Sequence, residues 1–540
     1  MDGGAVAWLS RWVPADSALG RFVHRKGGGG VTLALLLLLC VLYLSRTFNL
    51  YPIVGDEGVA TLSAWRISNG QIPYRDFFEI IPPFSFLPTA LLFAFFGPSV
   101  AAERLLAVVY GLLLIVAVIR LLRQLDVKEW RQAAAAAILI PCGTAFWPIP
   151  SHHWVVDILQ LFGISAIIEA GRGHKPALNA IMAGVLCALA CFTLQDQGAY
   201  LVLALPCLSL LWIPERKLRW RVLGSWMLGG IVVAAAFAMY LLPLVSIGTL
   251  WNDWIAFPLH HYNNHDIQAS GFFSGWEKVL VNYDPRIFKT LPLYTLSLTV
   301  LLAIVSMMPF ISLAGSFSIW HYKRIERWEL GALFSGWLAF LGACGHRWAV
   351  TNLLWALPIL LVLALKSADD IFAHSHNKSI LKRAIVVLAG IAVLSAVTYA
   401  SIMFRYAAPE YNAPVRGAAG TLRWNNYAQA AQLAGAIGAV ERFTPPGSPM
   451  IMNGFACLPN FLTLHPNPTR YNFLYYPYYN TVEQEKEVIS LLDKRPEVSV
   501  LLTRPPDSKE IFEGYIIKNY ACVWNNGAYF LFLRKPDYVH

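Results

Sequence analysis

Long apolar runs, broken by short polar stretches, set the pattern of this chain. They fall at 29–48, 100–122, 132–149, 154–170, 176–194, 198–213, 222–246, 288–313, 329–345, 348–365 and 384–404. Most approach the roughly 20 apolar residues that a helix needs to cross a bilayer, so eleven spanning helices are expected. One further apolar piece, 84–96, is short and bracketed by Pro82, Pro83, Pro88 and Pro98. It reads as a re-entrant or interfacial segment. The pattern changes after 404. Periodic Ala and Leu from Tyr427 to Phe443 predict a helix, stopped by the TPPGSP that begins at Thr444. PMIMN, VSVLL and YFLFL predict short strands. Thr481 to Leu492 predicts a helix with Thr481 as N-cap and Gln484 closing a capping box. The expected architecture is an all-α polytopic membrane domain, 1–404, followed by a small α/β domain, 405–540.

Composition agrees. Hydrophobic residues make up 57% of the 540 and charged residues only 14%, against roughly 25% charged in a soluble domain. The net charge of +10 would suggest nucleic acid in a soluble protein; here it follows from Lys and Arg gathering on one membrane side. With 84–96 not spanning, that side receives Arg11, Arg21, Arg25 and Lys26, then Arg120, Arg123, Lys128 and Arg131, and the later clusters at 172–175, 216–221, 323–327 and 366–383. The N-terminus is then cytoplasmic, and 405–540 lies outside, on the periplasmic side if the membrane is a bacterial inner membrane. Gly27 to Ser45 holds no charge and no cleavage pattern follows, so a retained first helix is expected. Most of the eight cysteines sit in apolar runs; Cys457 and Cys522, in the tail, could pair if the tail is extracytoplasmic.

The same topology collects polar residues on the outer face. The first loop, about 49–99, carries Asp56, Glu57, Arg66, Arg75, Asp76 and Glu79; the later loops add His152, His153, Asp157, Asp196, Lys278, His346 and Arg347. Asp56 and Glu57 read either as an ordinary helix start, with Asp56 as N-cap and Glu57 in the first turn, or as a site. Adjacent helical residues point about 100° apart, so the two carboxylates would not share a proton. His152 and His153, beside Trp154, read equally as interfacial anchors. Arg347 beside Trp348 reads equally as a snorkelling residue.

Four features in order resemble the glycosyltransferase C superfamily, in the branch holding protein O-mannosyltransferases and lipid A aminoarabinose transferases. They are Asp56-Glu57 after the first helix, PYRDFFEIIPP from Pro73 to Pro83, Phe95-Phe96-Gly97, and Arg104 in SVAAERL. Asp157 resembles a second acidic residue of the aminoarabinose branch, and HRWAVTNLLWALPIL from His346 resembles a late Arg-aromatic helix. The chain departs at Ile81, where that branch has Lys before Pro-Pro.

The resemblance implies an integral membrane glycosyltransferase. It would move a hexosyl or pentosyl group from a polyprenyl-phosphate donor to an extracytoplasmic lipid, glycan or protein acceptor, with inversion. Asp56 is then the base that takes the acceptor proton, with Glu57 and Asp157 beside it. Arg104, Arg347, Arg75 and Lys278 would stabilise the departing phosphate. No cofactor is required, although Asp56, Asp157 and His153 would suit a divalent cation. Membrane lipid is an expected partner and nucleic acid is not. The competing readings are a transporter or flippase, which would place charges near the bilayer midplane, and a non-catalytic scaffold presenting 405–540.

Overall fold

The computed structural model describes residues 29–262, 292–322, 325–344, 350–374, 380–477 and 479–536. Helix α1 (Gly29–Thr47) leads into the first loop, which folds as α2 (Asp56–Ser68), a 3-10 turn at Pro83–Ser85 and α3 (Leu87–Phe96). The bundle continues through α4 (Val100–Gln124), α5 (Glu129–Cys142), α6 (His152–Gly171), α7 (Pro176–Cys191), α8 (Gln195–Leu208) and α9 (Arg216–Leu241). A short helix α10 (Ile247–Trp251) runs into π-helical turns to Tyr262. The bundle closes with α11 (Pro292–Tyr322), α12 (Arg327–Cys344), α13 (Val350–His374) and α14 (Ile380–Tyr406).

Among the described residues a helix covers most of each expected run. Six described segments are both long and apolar enough to cross a membrane: Gly30–Thr47, Val100–Gln124, His152–Gly171, Arg216–Leu241, Pro292–His321 and Lys382–Tyr406. The others are shorter or more polar. The run at 132–149 stops being helical at Cys142, just after Pro141, and turns through Gly143–Trp147. α3 has ten residues, about 15 Å at 1.5 Å per residue. It is too short to span and packs instead under α2, with Phe93 stacked on Phe461 of the tail at 5.5 Å. Large apolar side chains point outward along α1, α9 and α14, among them Leu39, Ile231, Met239, Leu388 and Leu394. Such a surface suits acyl chains rather than water. This is a multi-pass membrane protein.

The tail begins with a hairpin, β1 (Ala413–Gly417) against β2 (Gly420–Trp424). It continues through α15 (Tyr427–Phe443), β3 (Met450–Asn453), α16 (Leu458–Thr463), α17 (Val482–Lys494), β4 (Ser499–Leu502), α18 (Ile511–Asn519), β5 (Tyr520–Asn525) and β6 (Phe530–Arg534). The sheet order is β3-β4-β6-β5, with β3 parallel to β4 and the other pairs antiparallel. β3 and β4 are buried along their whole length, as a strand covered on both faces requires. The Thr481–Gln484 capping box forms as its sequence predicts. Cys457 is buried and Cys522 exposed, and both are free thiols.

Candidate active site

The first loop and the tail share one core. Ala64 of α2, Phe86, Ala90 and Phe93 pack with Leu422, Leu458 and Phe461 of the tail. Two glycines permit the approach. A Cβ on Gly58 would lie 2.3 Å from the Leu458 amide nitrogen, and one on Gly55 would lie 2.3 Å from the Phe455 ring. Gly55, not Asp56, is the N-cap of α2, and no side chain caps it. Asp56 is instead the first helical residue. It is half-buried, next to the point where Gly55 meets Phe455.

Glu57 turns the other way, into the protein, and is 1% exposed. Its Oε1 accepts from Arg104 Nε at 2.9 Å and from Arg104 Nη2, and its Oε2 accepts the Ile53 amide at 2.8 Å. Arg104 also donates to the Leu50 carbonyl at 2.9 Å and the Tyr51 carbonyl at 3.3 Å. Glu103, fully buried, lies 3.3 Å from Arg104 Nε, within ion-pair distance but without hydrogen-bond alignment. The Arg104 guanidinium thus fastens the start of α2 and the end of the α1 linker onto α4. It sits inside this joint and is 1% exposed.

A second buried network ties the first loop to the tail. Arg66 donates to Gln71 at 2.7 Å, Asn472 Oδ1 at 3.1 Å and the Thr469 carbonyl at 2.7 Å. Asn472 donates to Ser63 at 2.8 Å, and Ser63 donates to Glu79 Oε2 at 3.1 Å. The other Glu79 oxygen accepts the Ile80 amide at 3.0 Å. Burial pushes the Glu79 carboxyl up to about 7, against the amide and Ser63 hydrogen bonds and the Arg66 charge, which pull it down. Burial likewise lowers the Arg66 guanidinium to about 10. Asp56 and Glu79 both lie near enough to Cys457 to push its thiol further up than burial alone. Glu79 was visible in the PYRDFFEIIPP stretch but not marked as a site residue. Its partners, Ser63 and Asn472, lie 16 and 393 positions away, and only the second separation requires the fold.

The π-helical turns and the start of α8 close the same end. Gln195 donates to the Ile80 carbonyl at 2.9 Å, Phe78 meets Phe257 edge-on at 4.9 Å, and Arg470 stands 4.0 Å from Asp253. Asp157 of α6 is 3% exposed. Its Oδ1 accepts from Gln197 of α8 at 3.1 Å, while its Oδ2 is buried without a hydrogen-bond partner. A buried carboxylate oxygen in that state lacks a donor worth on the order of 1–3 kcal/mol.

The remaining sequence candidates scatter. Arg75 is exposed and paired with Asp76 at 2.8 Å, and that pairing holds the Asp76 carboxyl below its ordinary range. The His153 ring stacks on Trp355 at 3.5 Å. Among the described residues no three His, Cys, Asp or Glu side chains gather to hold a metal ion. The set of Asp56, Asp157 and His153 is therefore not assembled as a cation site. Lys278 and Arg347 lie outside the described residues, as do His265, Asp266 and His346.

No protein-family model matches the chain, and no curated protein does. Solved structures do. The chain superposes over 97% of its length and 100% of the other on ArnT from Cupriavidus metallidurans bound to undecaprenyl phosphate, with a TM-score of 0.57 and 13% identity. At this identity the likeness is one of fold: the chain folds as ArnT does. The Archaeoglobus fulgidus oligosaccharyltransferase in complex with Zn and sulfate is also similar, with a TM-score of 0.52 and 13% identity over 87% of this chain and 68% of that one. The shared fold includes the tail as well as the bundle, since the ArnT match leaves only a few per cent of the chain uncovered.

Proposed function

We propose that the chain is an integral membrane glycosyltransferase that moves a sugar from a polyprenyl-phosphate donor to an extracytoplasmic acceptor, with inversion. The observation that carries this reading is the end-to-end match to a fold whose ArnT example holds undecaprenyl phosphate, combined with a half-buried Asp56 at the start of α2. The transporter and scaffold readings have no comparable support.

In this mechanism Asp56 takes the proton of the acceptor hydroxyl as that oxygen attacks the anomeric carbon. The bond from that carbon to the phosphate oxygen breaks on the opposite face, and the polyprenyl phosphate leaves. Glu57 and Arg104 act as positioning residues: their mutual bonds fix the first turn of α2, from which Asp56 faces substrate. Asp157, with one oxygen lacking a hydrogen bond, supplies a second polar contact from α6. Arg75, Lys278 and Arg347 are the cations assigned to the departing phosphate. The enzyme sits in a bacterial inner membrane with its N-terminus cytoplasmic and 405–540 periplasmic. The test uses purified full-length protein with a panel of radiolabelled polyprenyl-phosphate sugars, followed by assignment of the product's anomeric configuration. Transfer with inversion supports the reading. A retained configuration refutes the single-displacement mechanism, and no transfer from any donor with lipid, glycan or peptide acceptors refutes the donor class.

A further inference from the structure

The far end of α4 carries a different feature. α4 has 25 residues, about 37 Å at 1.5 Å per residue, against a hydrocarbon layer of about 30 Å. If the first-loop end of α4 lies at one headgroup layer, its last turns reach the other. There a cavity of about 420 Å³ opens between α1, α4 and α6, lined by Leu33, Val116, Ile119, Arg120, Arg123, Gln124 and Glu169. That volume lies within the range of small-ligand sites, roughly 300–1,000 Å³.

Its lining is divided by chemistry. Leu33, Val116 and Ile119 form an apolar wall. Arg120 donates Nε to Ser165 at 2.8 Å; among the described residues its terminal nitrogens have no hydrogen bond. Arg123 donates Nε to Gln132 at 3.1 Å. Gln124 donates to Glu169 at 2.7 Å and to the Ser165 carbonyl at 3.3 Å. Two acceptors around its nitrogen fix the amide orientation. Its oxygen is then buried with no partner. Glu169 is engaged at both oxygens, by Gln124 and by His174 Nδ1 at 2.8 Å. Two guanidinium groups and one carboxylate leave a formal charge of one positive unit, which favours a monoanion.

We infer that this cavity binds an anionic membrane lipid by its phosphodiester headgroup. The phosphate meets Arg120 and Arg123, and the acyl chain runs along Leu33, Val116 and Ile119. Charge-assisted bonds from arginine to phosphate suit such a group, and basic pockets between membrane helices take anionic headgroups in general. The site lies at the opposite end of α4 from the proposed sugar-transfer site and does not depend on that reading.

The test is thermal unfolding of delipidated full-length protein in detergent, titrated with phosphatidylglycerol, phosphatidylcholine or inorganic phosphate. Phosphatidylglycerol should raise the melting temperature saturably, and phosphatidylcholine should not. Arg120→Gln with Arg123→Gln should raise the half-saturating phosphatidylglycerol concentration about tenfold or more, equivalent to about 1.4 kcal/mol, and the double Lys variant should recover most of the loss. Val116→Trp, which fills the cavity and keeps both arginines, should also weaken binding. Equal responses to the two lipids would overturn the proposal, as would either binding variant behaving like wild type. Inorganic phosphate giving the full phosphatidylglycerol shift would show that no lipid is recognised.

Discussion

The two ends of α4 put arginine to opposite uses. Arg104, near one end, is 1% exposed and directs its donors to Glu57 and to the carbonyls of Leu50 and Tyr51. Arg120, four and a half turns on, uses one nitrogen on Ser165 and otherwise faces an open cavity. The residue type is the same, but the number of satisfied donors differs. A guanidinium with most of its donors taken is a joint, whereas one that uses a single donor beside a cavity is a receptor for an anion. Arg104, which the sequence marks as a phosphate ligand, therefore enters the proposed mechanism through Glu57.

The largest expected effect comes from breaking the joint. Arg104→Gln leaves Glu57 and Glu103 buried without a cation, and removing one partner of a buried ion pair destabilises by about 3–5 kcal/mol. Thermal unfolding in detergent should show a large fall in melting temperature or no folded protein at all. Arg104→Lys should lie between, because one ammonium cannot match the forked geometry. An Arg104→Gln variant as stable as wild type would collapse the contrast between the two ends.

Glu79 sharpens the comparison through pH. Its carboxyl is pushed up from 4.5 to about 7 by burial, so the folded protein holds a proton that the unfolded chain has released. Stability must therefore fall as pH rises from about 4.5 to about 7, by roughly 3 kcal/mol in all at 1.36 kcal/mol per pK unit. Glu79→Gln should remove that slope. Glu485 titrates in the same window, so the readout is the difference between wild type and variant. A difference that does not change with pH would show that Glu79 is already charged at pH 5.

Gly58→Val tests the seam between the first loop and the tail. Its Cβ has no room at 2.3 Å from Leu458 nitrogen, and overpacking of this kind costs about 1–3 kcal/mol. The smallest effect belongs to Arg75→Ala. That pair is exposed, and unfolding temperature should not move measurably; any loss in such a variant should appear as weaker donor use in a transfer assay.

Much of the fold was legible because long apolar runs and local capping chemistry do not depend on distant contacts. The helix at Tyr427–Phe443, the capping box at Thr481 and three strands were read from neighbouring residues alone. The β1–β2 hairpin and β5 were missed. The hairpin has one buried position per strand, Val415 and Leu422, too faint an alternation to stand out, and β5 carries a bulge between Cys522 and Trp524 that breaks its period. At the site, Asp56 and Glu57 stood out as charges beside an apolar run. Their division of labour did not, because it rests on Arg104 arriving from 47 positions away. The link from Asp157 to Gln197 likewise needs α6 and α8 side by side.

The central claim is that Asp56 serves as the base for sugar transfer. Its most direct test is turnover of the full-length Asp56→Asn variant against wild type, with the donor that wild type accepts and unfolding temperature recorded alongside. Loss of general-base catalysis should lower the rate about 10²–10⁴-fold with the melting temperature unchanged. Wild-type turnover in the Asn variant would contradict the account.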